Sequence, residues 1–541
     1  MTSAALWRPS AATIDATNLA KFSEAFYPEL DGSYASLHAA SIADLDRFWS
    51  AVWDFTGVIG DKGERTFVDA TSLRGTRFFP DAQLSFAENL LRAPTSEAAL
   101  VWADESGLQG SVSHSELHDL VSLMQQALIS LGVTPGDVVA AWLPNNPDAI
   151  AWMLAANSIG AIFSSCSPDF GSQGVLDRFG QIQPKVLIGI DNYRYANKTH
   201  DCLAKLAELT AQIPSIQTTV VLTGNADLSD IRNAVKQTKL LLAFEPTKVT
   251  FRRAGFDEAG FVLFSSGTTG KPKCIIHRSG GILLQHLKEH QLLCNVSPGD
   301  RVFYYSTLGW MMWNWLASVL ASGATAVLYD GSPFHPSPTV LWDLVDEVGI
   351  SHFGTSARFI SALQKEGLKP RETHDLTSMR TLLSTGSPLV HENFEYVYAD
   401  IKPDIHLASI SGGTDLCACL VGGDPTSPVF AGEIQRPALG LDIDVVDEDA
   451  HSLPVGQQGE LVCRNAFPSM PLGFWDDDTN DRYDDAYFRR FEGFWHQGDF
   501  AACTENGGYV IHGRSDATLN PGGVRIGTAE IYRQVEQVGE V

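Results

Sequence analysis

A run of hydroxyl residues, glycines and lysines between two short apolar segments constrains the fold of this chain more than any other feature. The run is Ser265-Ser266-Gly267-Thr268-Thr269-Gly270-Lys271-Pro272-Lys273, and it lies between Phe261–Phe264 and Cys274–Ile276. Hydroxyl groups donate to phosphate oxygens, glycines let backbone N–H groups approach a ligand, and lysines supply positive charge. The pattern therefore predicts a β-strand, a flexible polyphosphate-binding loop and a second strand.

This run differs from a Walker P-loop. In that motif a Ser or Thr follows the lysine and a helix begins there, with its N-terminus facing the phosphates. Here Pro272 follows Lys271, and Cys274–His277 has the composition of a strand. An exposed hairpin loop with no ligand is the alternative, but such a loop requires neither two lysines nor four clustered hydroxyl groups.

The composition restricts the class of protein and its partners. A chain of 541 residues exceeds the size at which one hydrophobic core stops growing, so we expect at least two subdomains. The formal net charge of -26 argues against nucleic acid or an anionic membrane as a partner. A bound polyanion would then depend on local lysines, arginines and a metal ion.

Cysteine usage and the N-terminal sequence indicate the cellular compartment of the protein. The eight cysteines are scattered without a Cys-x-x-Cys pair, which predicts reduced thiols in a cytoplasmic protein. The N-terminus has no basic region followed by an apolar core, so no signal peptide is predicted. Phe303–Tyr329 lacks formal charge, but its Asn314, serines and glycines indicate a buried helix and strand and not a membrane span.

Strands and helices alternate between residues 96 and 260. We predict strands at Val138–Trp142, Ala161–Ser165 and Val186–Ile190, with helices over Asp148–Ile159 and Val175–Ile182. This alternation predicts an α/β fold with a largely parallel sheet.

Two later strands end in turns rich in glycine and hydroxyl residues. Met379–Leu383 leads into Ser384-Thr385-Gly386-Ser387-Pro388, and Ile405–Ser409 leads into Ser411-Gly412-Gly413-Thr414-Asp415. Ligands of α/β proteins bind in the crevice outside strand ends, so we expect the two turns to form one site.

Three further motifs follow, and with the phosphate loop they resemble the acyl-adenylate-forming superfamily. They are Trp495-His496-Gln497-Gly498-Asp499, Gly513-Arg514-Ser515-Asp516 and Gly522-Gly523-Val524-Arg525-Ile526. Four motifs in the family's order make the resemblance specific. It implies a large α/β body of several subdomains with parallel and mixed sheets, and a small C-terminal domain that is mostly absent from this chain.

The resemblance implies a site for ATP or AMP. Asp499 and Arg514 would bind the ribose, since a carboxylate has two acceptor oxygens for two hydroxyls, and Arg525 would lie near the phosphates. Asp415, at a position where the superfamily has glutamate, would hold Mg²⁺. The other implied nucleotide-binding residues are Ser265–Gly270, Lys273, Gly386, Ser387, Pro388 and Gly413, and the implied catalytic residues are Thr414, Asp415 and Lys271.

The resemblance also implies an acyl pocket and a CoA site. Trp310, Met311, Thr385 and Gly412 would line the acyl pocket, whereas Trp313 and Trp315 are expected in the core. Acetyl-CoA synthetases carry a tryptophan at the position of Gly412, so glycine would leave room for a longer acid; the alternative is a glycine that only satisfies a turn. Arg194 and Lys198 are candidates for the CoA phosphates, although an ordinary solvated loop explains them equally well.

Three segments are expected along the chain. Residues 1–95 are rich in aromatics and form an N-terminal cap, residues 96–515 form the body with the ATP, acyl and CoA sites, and residues 516–541 hold the hinge at Asp516 and the start of the C-terminal domain. The chain ends 25 residues after Asp516, so we expect a truncated sequence in which the superfamily's C-terminal lysine has no counterpart.

By this resemblance the chain is an acid:CoA ligase that uses ATP, Mg²⁺ and CoA and forms an acyl-AMP intermediate. The N-terminal extension and the Gly513–Arg525 segment are most similar to the acetoacetate-activating branch of the superfamily, which implies acetoacetate as the acid. The alternatives are a CoA ligase for another short or medium-chain acid, a non-catalytic nucleotide-binding module and a phosphotransferase that releases ADP. The expected partners are these small molecules, without nucleic acid or membrane.

Overall fold

Strand and helix alternate to build an eight-stranded sheet in this computed structural model, which describes residues 4–68, 72–265 and 271–515. The strands lie in the spatial order Ala234–Lys236, Thr218–Leu222, Val186–Ile190, Val138–Trp142, Ile162–Cys166, Ala259–Ser265, Lys273–Arg278 and Gly473–Phe474. The first six are parallel to their neighbours, and the last two join antiparallel. All five residues of Val138–Trp142 are buried, as expected for a parallel strand covered on both faces.

A second sheet has seven strands. In spatial order these are His406–Ser409, Thr381–Thr385, His352–Ser356, Arg301–Tyr304, Thr325–Asp330, Ala98–Asp104 and Gly107–Ser113. All neighbours are parallel except the last pair, which forms a hairpin. The predicted α/β class with parallel and mixed sheets is confirmed.

Helices connect and cover these sheets. Their bounds are Ala11–Ala16, Asn18–Phe26, Tyr34–Ala43, Leu45–Thr56, Phe86–Leu90, His114–Ser130, Pro147–Ser158, Ser172–Ile182, Leu203–Gln212, Gln237–Leu241, Ser279–Lys288, Met312–Ser318, Val340–Val348, Ala357–Lys365, Pro370–Thr373, His391–Tyr396 and Asp481–Tyr487.

Local capping explains where the predicted helix near residue 148 begins and ends. Asn146 accepts a hydrogen bond from the backbone N–H of Ala149, and Pro147 occupies the first helical position, where no N–H partner is needed. Gly160 follows the last turn with φ +79°, the left-handed conformation that commonly terminates helices. The prediction of a helix over residues 148–159 is confirmed to within one residue.

The uncharged stretch at residues 303–329 also folds as predicted. It contains the helix Met312–Ser318, a 3₁₀ turn at Val319–Ser322, the second half of the strand Arg301–Tyr304 and most of the strand Thr325–Asp330. In the described part of the chain, no helix combines the length and the apolar character that crossing a bilayer requires.

The N-terminal helices pack on the body through aromatic side chains. Leu45–Thr56 buries Phe48 and Trp49, and a Cβ at Gly440 would lie 2.6 Å from the Phe48 ring. Tyr34 donates to the carbonyl of Pro437 at 2.7 Å. The division of the chain at residues 95 and 515 stays a prediction.

Smaller sheets carry the later motifs. A three-stranded sheet contains Ser411–Gly413, Ala418–Gly422 and Arg436–Pro437, and a four-stranded sheet contains Ile443–Val446, Gln458–Cys463, Trp495–Cys503 and Tyr509–Arg514. The remaining short strands are Gly60–Asp61 with Gln83–Leu84 and Ala254–Gly255, Phe67–Val68 with Arg77–Phe78, and Asn192–Tyr195 with Lys198–Asp201.

Candidate active site

A cavity of about 660 Å³ opens where the two predicted Gly-rich turns, the phosphate-loop hairpin and the four-stranded sheet meet. The turns come together because the strands that precede them, Thr381–Thr385 and His406–Ser409, are parallel neighbours. The predicted site residues on the cavity wall are Ser265, Lys273, Trp310, Met311, Thr385, Gly386, Ser387, Pro388, Gly412, Gly413, Thr414, Asp415, Asp499 and Arg514.

The first turn is fixed by its strand and by an aromatic ring. Thr385 donates its hydroxyl to the carbonyl of Ile410 at 2.8 Å, which ties the two turns together. Gly386 has φ +91°, and the Trp310 ring would lie 3.4 Å from a Cβ at this position. The left-handed φ is what favours glycine in this turn, and the Trp310 ring lies at ordinary van der Waals distance.

A cation and a carboxylate meet at the phosphate-loop end of the cavity. Lys273 begins the second hairpin strand, and its Nζ lies 2.5 Å from Asp415 Oδ1. Tyr487 donates to the same oxygen at 2.5 Å. Burial disfavours the charged form of Asp415, but Lys273 and Tyr487 outweigh it and hold the pKa of that carboxyl below its usual value. An ionised carboxylate at this position can hold a divalent cation.

A second acid–base pair lies on the four-stranded sheet. Asp499 and Arg514 are directly opposite each other on neighbouring antiparallel strands, with Arg514 Nη1 3.5 Å from Asp499 Oδ1. Gln497 donates to the other oxygen, Oδ2, at 2.8 Å. Burial raises the pKa of Asp499, and the charge of Arg514 opposes this shift. The pair offers a carboxylate and a guanidinium at the cavity wall, a combination suited to vicinal hydroxyl groups.

Another part of the cavity wall is apolar. This part of the wall is formed by Trp310, Met311, Met312 and Trp315. Trp313 is fully buried and donates to Asn145 Oδ1 at 3.0 Å, as predicted for a core residue. Trp315 is also buried in the hydrophobic core, as predicted, and its ring in addition forms part of the cavity surface.

Gly412 requires a correction. It lies within the strand Ser411–Gly413, and a Cβ there would lie 2.0 Å from the carbonyl oxygen of Ala418 and 2.6 Å from Cα of Cys419. No side chain fits unless the neighbouring strand moves. The simple turn is wrong, since Gly412 lies within a strand. Gly412 does line the cavity, and its place in an acyl pocket stays a prediction. Glycine is needed because two backbones approach closely.

Several predicted residues are not brought into the cavity. Arg194 and Lys198 are exposed on the small hairpin Asn192–Tyr195 and Lys198–Asp201, where Arg194 donates to Ser106 at 3.1 Å. Lys271 is exposed beside the loop. Ser266–Gly270, Asp516 and Arg525 lie outside the described residues.

Residues 86–475 match the family described as AMP-binding enzyme. The chain belongs to the AMP-binding enzyme family. The match spans the hairpin and both Gly-rich turns.

Relatives of this AMP-binding enzyme are similar over nearly its whole length. The acetoacetyl-coenzyme A synthetase of Rhizobium meliloti (strain 1021) is 50% identical over 541 residues, covering 99% of this chain and 83% of the relative. The acetoacetyl-CoA synthetase of Mus musculus is 42% identical over 523 residues, covering 94% and 78%. The solved structure of acetoacetyl-CoA synthetase from Streptomyces lividans superimposes with a TM-score of 0.93 at 39% identity, covering 99% of this chain and 84% of that one.

Sequence reasoning missed two polar residues at the site of this AMP-binding enzyme. Glu289 lines the cavity and is 4% exposed, and its carboxylate accepts hydrogen bonds from Trp315 Nε1 at 3.1 Å and from the N–H of Cys419 at 3.0 Å. It starts a π-helical turn, Glu289–Leu293, directly after the helix Ser279–Lys288, and such turns are frequent at functional sites. Tyr487, which donates to Asp415, is the second residue that was missed. The signal available in the sequence was an acid within an apolar helix and a tyrosine within an acidic run.

Proposed function

We propose that this chain is an AMP-forming acetoacetate:CoA ligase. The observation that carries the proposal is the cavity itself, which joins the Lys273–Asp415 pair, the Asp499–Arg514 pair and an apolar part of its wall. The first pair suits a polyphosphate, the second pair suits a ribose, and the apolar part suits a small acid. The reaction requires all three in one crevice. The acetoacetyl-CoA synthetases among its relatives support acetoacetate as the acid.

The reaction has two displacement steps. A carboxylate is a poor electrophile because its charge repels nucleophiles. In the first step, an acetoacetate carboxylate oxygen bonds to the α-phosphorus of ATP, and the bond to the β-phosphate breaks to release pyrophosphate. In the second step, the CoA sulfur bonds to the acyl carbon as its thiol proton is lost, and AMP leaves with the electron pair of the anhydride bond.

Positioning and charge neutralisation account for the first step. Lys273 and Lys271 would neutralise the departing pyrophosphate, with the hydroxyls and backbone N–H groups of Ser265–Gly270 and the Thr414 hydroxyl on the phosphates. Asp499 and Arg514 would hold the ribose, and the turns containing Gly386–Pro388 and Gly413 would enclose the nucleotide. Trp310, Met311 and Thr385 would enclose the acyl group.

We assign Mg²⁺ to Asp415. Lys273 and Tyr487 both donate to Oδ1, which leaves Oδ2 for a further ligand at the cavity wall, and a carboxylate oxygen is the kind of ligand that Mg²⁺ takes. These residues fit the ion. When bound there, Mg²⁺ would neutralise phosphate charge during adenylation.

The remaining assignments belong to the same proposal. Arg525 would reach the phosphates and Asp516 would be the hinge between the two half-reactions. Arg194 and Lys198 supply positive charge suited to the CoA phosphates. All eight cysteines are free, and seven are buried, which agrees with a reducing compartment such as the cytoplasm.

Pyrophosphate release with ATP, Mg²⁺ and CoA tests the proposal, with acetoacetate, acetate, butyrate and hexanoate compared at equal concentration. We expect acetoacetate to give the highest kcat/KM, with AMP and acetoacetyl-CoA in equal amounts. A higher kcat/KM for another acid would overturn the substrate. ADP as product, or nucleotide binding without any turnover, would overturn the reaction.

A further inference from the structure

Tyr487 makes a buried contact with the carboxylate assigned to the metal. It is the last residue of the helix Asp481–Tyr487, and its hydroxyl donates to Asp415 Oδ1 at 2.5 Å. The two residues are 72 positions apart in the chain, and Tyr487 is 1% exposed. A phenol hydroxyl so deeply buried needs a hydrogen-bond partner, and Asp415 is that partner.

The ring of Tyr487 is held by an aromatic cluster. It stacks on Trp495, with centroids 4.1 Å apart and planes at 17°. Phe474 and Tyr483 meet it edge-on at 5.6 and 5.2 Å. Trp495 opens the strand that also carries Asp499. The position of the hydroxyl is therefore set by packing and tied to the strand of the proposed ribose site.

The hydrogen bond leaves Asp415 with one defined orientation. Lys273 and Tyr487 donate to the same oxygen, and the Lys273 ammonium also lies 5.0 Å from the centroid of the Tyr487 ring. Lys273 stands at the start of the strand after the phosphate loop and is proposed to bind pyrophosphate. If its ammonium turns toward phosphate, Tyr487 still holds Oδ1. A neutral donor does this without adding positive charge that would repel a cation.

We propose that Tyr487 is a positioning residue that directs Asp415 Oδ2 toward a divalent cation bound with the nucleotide. This inference rests on the proposed function for its metal and deepens it by naming the residue that orients the ligand. Outer hydrogen-bond partners of metal ligands typically change metal affinity by about tenfold to a hundredfold when removed.

The test compares Tyr487→Phe with Tyr483→Phe. Both variants keep the ring, and both residues lie in the same cluster, but Tyr483 donates to the carbonyl of Pro471 at 3.2 Å. Mn²⁺ binding to the full chain with α,β-methylene-ATP is measured by electron paramagnetic resonance, and AMP binding without metal by calorimetry. We expect Tyr487→Phe to weaken Mn²⁺ binding about tenfold or more and to leave AMP affinity within about twofold. Tyr483→Phe should match the wild type in both.

Two results would overturn the inference. One is Mn²⁺ affinity in Tyr487→Phe equal to that of the wild type. The other is an equal loss in Tyr483→Phe, which would mean that cluster packing and not the hydroxyl matters. Neither readout requires turnover, so failure of the acetoacetate assay in the wild type would count against the proposed reaction and not against the role of Tyr487.

Discussion

Lys273 and Asp415 are 142 residues apart in the chain, yet their charged groups lie 2.5 Å apart at the wall of the cavity. If this lysine supports pyrophosphate departure, Lys273→Gln should lower the rate of acetoacetate-dependent pyrophosphate release by about a hundredfold or more. The matched control is Lys185→Gln, which breaks a 2.8 Å pair with Asp137. We expect the control to keep its activity, and equal losses in both variants would contradict the assignment of Lys273.

Asp499 should determine how strongly the ribose contributes to ATP binding. In the wild type, 2′-deoxy-ATP should bind more weakly than ATP, because one hydroxyl is missing. In Asp499→Asn, ATP affinity should fall about tenfold, and the difference between ATP and 2′-deoxy-ATP should shrink to about twofold, since a hydrogen bond to a charged group contributes about 1.5–3 kcal/mol. Calorimetric titration measures all four affinities. An undiminished preference for ATP in the variant would remove Asp499 from the ribose site.

Gly412 should tolerate no side chain. A Cβ there would lie 2.0 Å from the carbonyl of Ala418, whereas at Gly413 the nearest atom, Gln497 Nε2, would be 3.4 Å away. We expect Gly412→Ala to lower the free energy of unfolding by about 1–3 kcal/mol and Gly413→Ala to lower it by less. Urea denaturation at fixed pH gives both values. Equal stability of Gly412→Ala and wild type would show that the two strands are not so close in solution.

Asp330 should make stability depend on pH. Burial raises the pKa of this carboxyl to about 6, above its value in the unfolded chain. Well below about pH 4 Asp330 is protonated in both states and carries no penalty. Between about pH 4 and 6 the unfolded chain ionises while the folded carboxyl stays protonated, so stability falls as pH rises, and the full loss is reached above pH 6. Asp330→Asn should therefore be more stable than wild type at pH 8, with the gain vanishing below about pH 4. A gain that is independent of pH would contradict this origin.

The sequence was most informative where a signal is local. Strand–helix alternation predicted the sheets, and the residues flanking the phosphate loop predicted the hairpin, because each pattern reflects the period of one element. The two Gly-rich turns met in one cavity since parallel neighbours end at the same edge. Periodicity could not supply the contact between Tyr487 and Asp415, which depends on how distant elements pack.

Gly412 shows a second limit of prediction from sequence. Its residue type was compatible with an open pocket, a turn or a close backbone approach, and only the pairing of Ser411–Gly413 with Ala418–Gly422 distinguishes these. Register between strands is set by tertiary packing, so the nearest neighbour of a glycine cannot be taken from its own segment.

Isotope transfer tests the central claim most directly. Acetoacetate labelled with ¹⁸O in its carboxylate is incubated with ATP, Mg²⁺, CoA and the enzyme, and the nucleotide product is analysed by mass spectrometry. If the carboxylate oxygen attacks the α-phosphorus, AMP must carry one ¹⁸O atom for each acetoacetyl-CoA formed. Unlabelled AMP, or ADP as the nucleotide product, would contradict activation through an acyl-AMP intermediate.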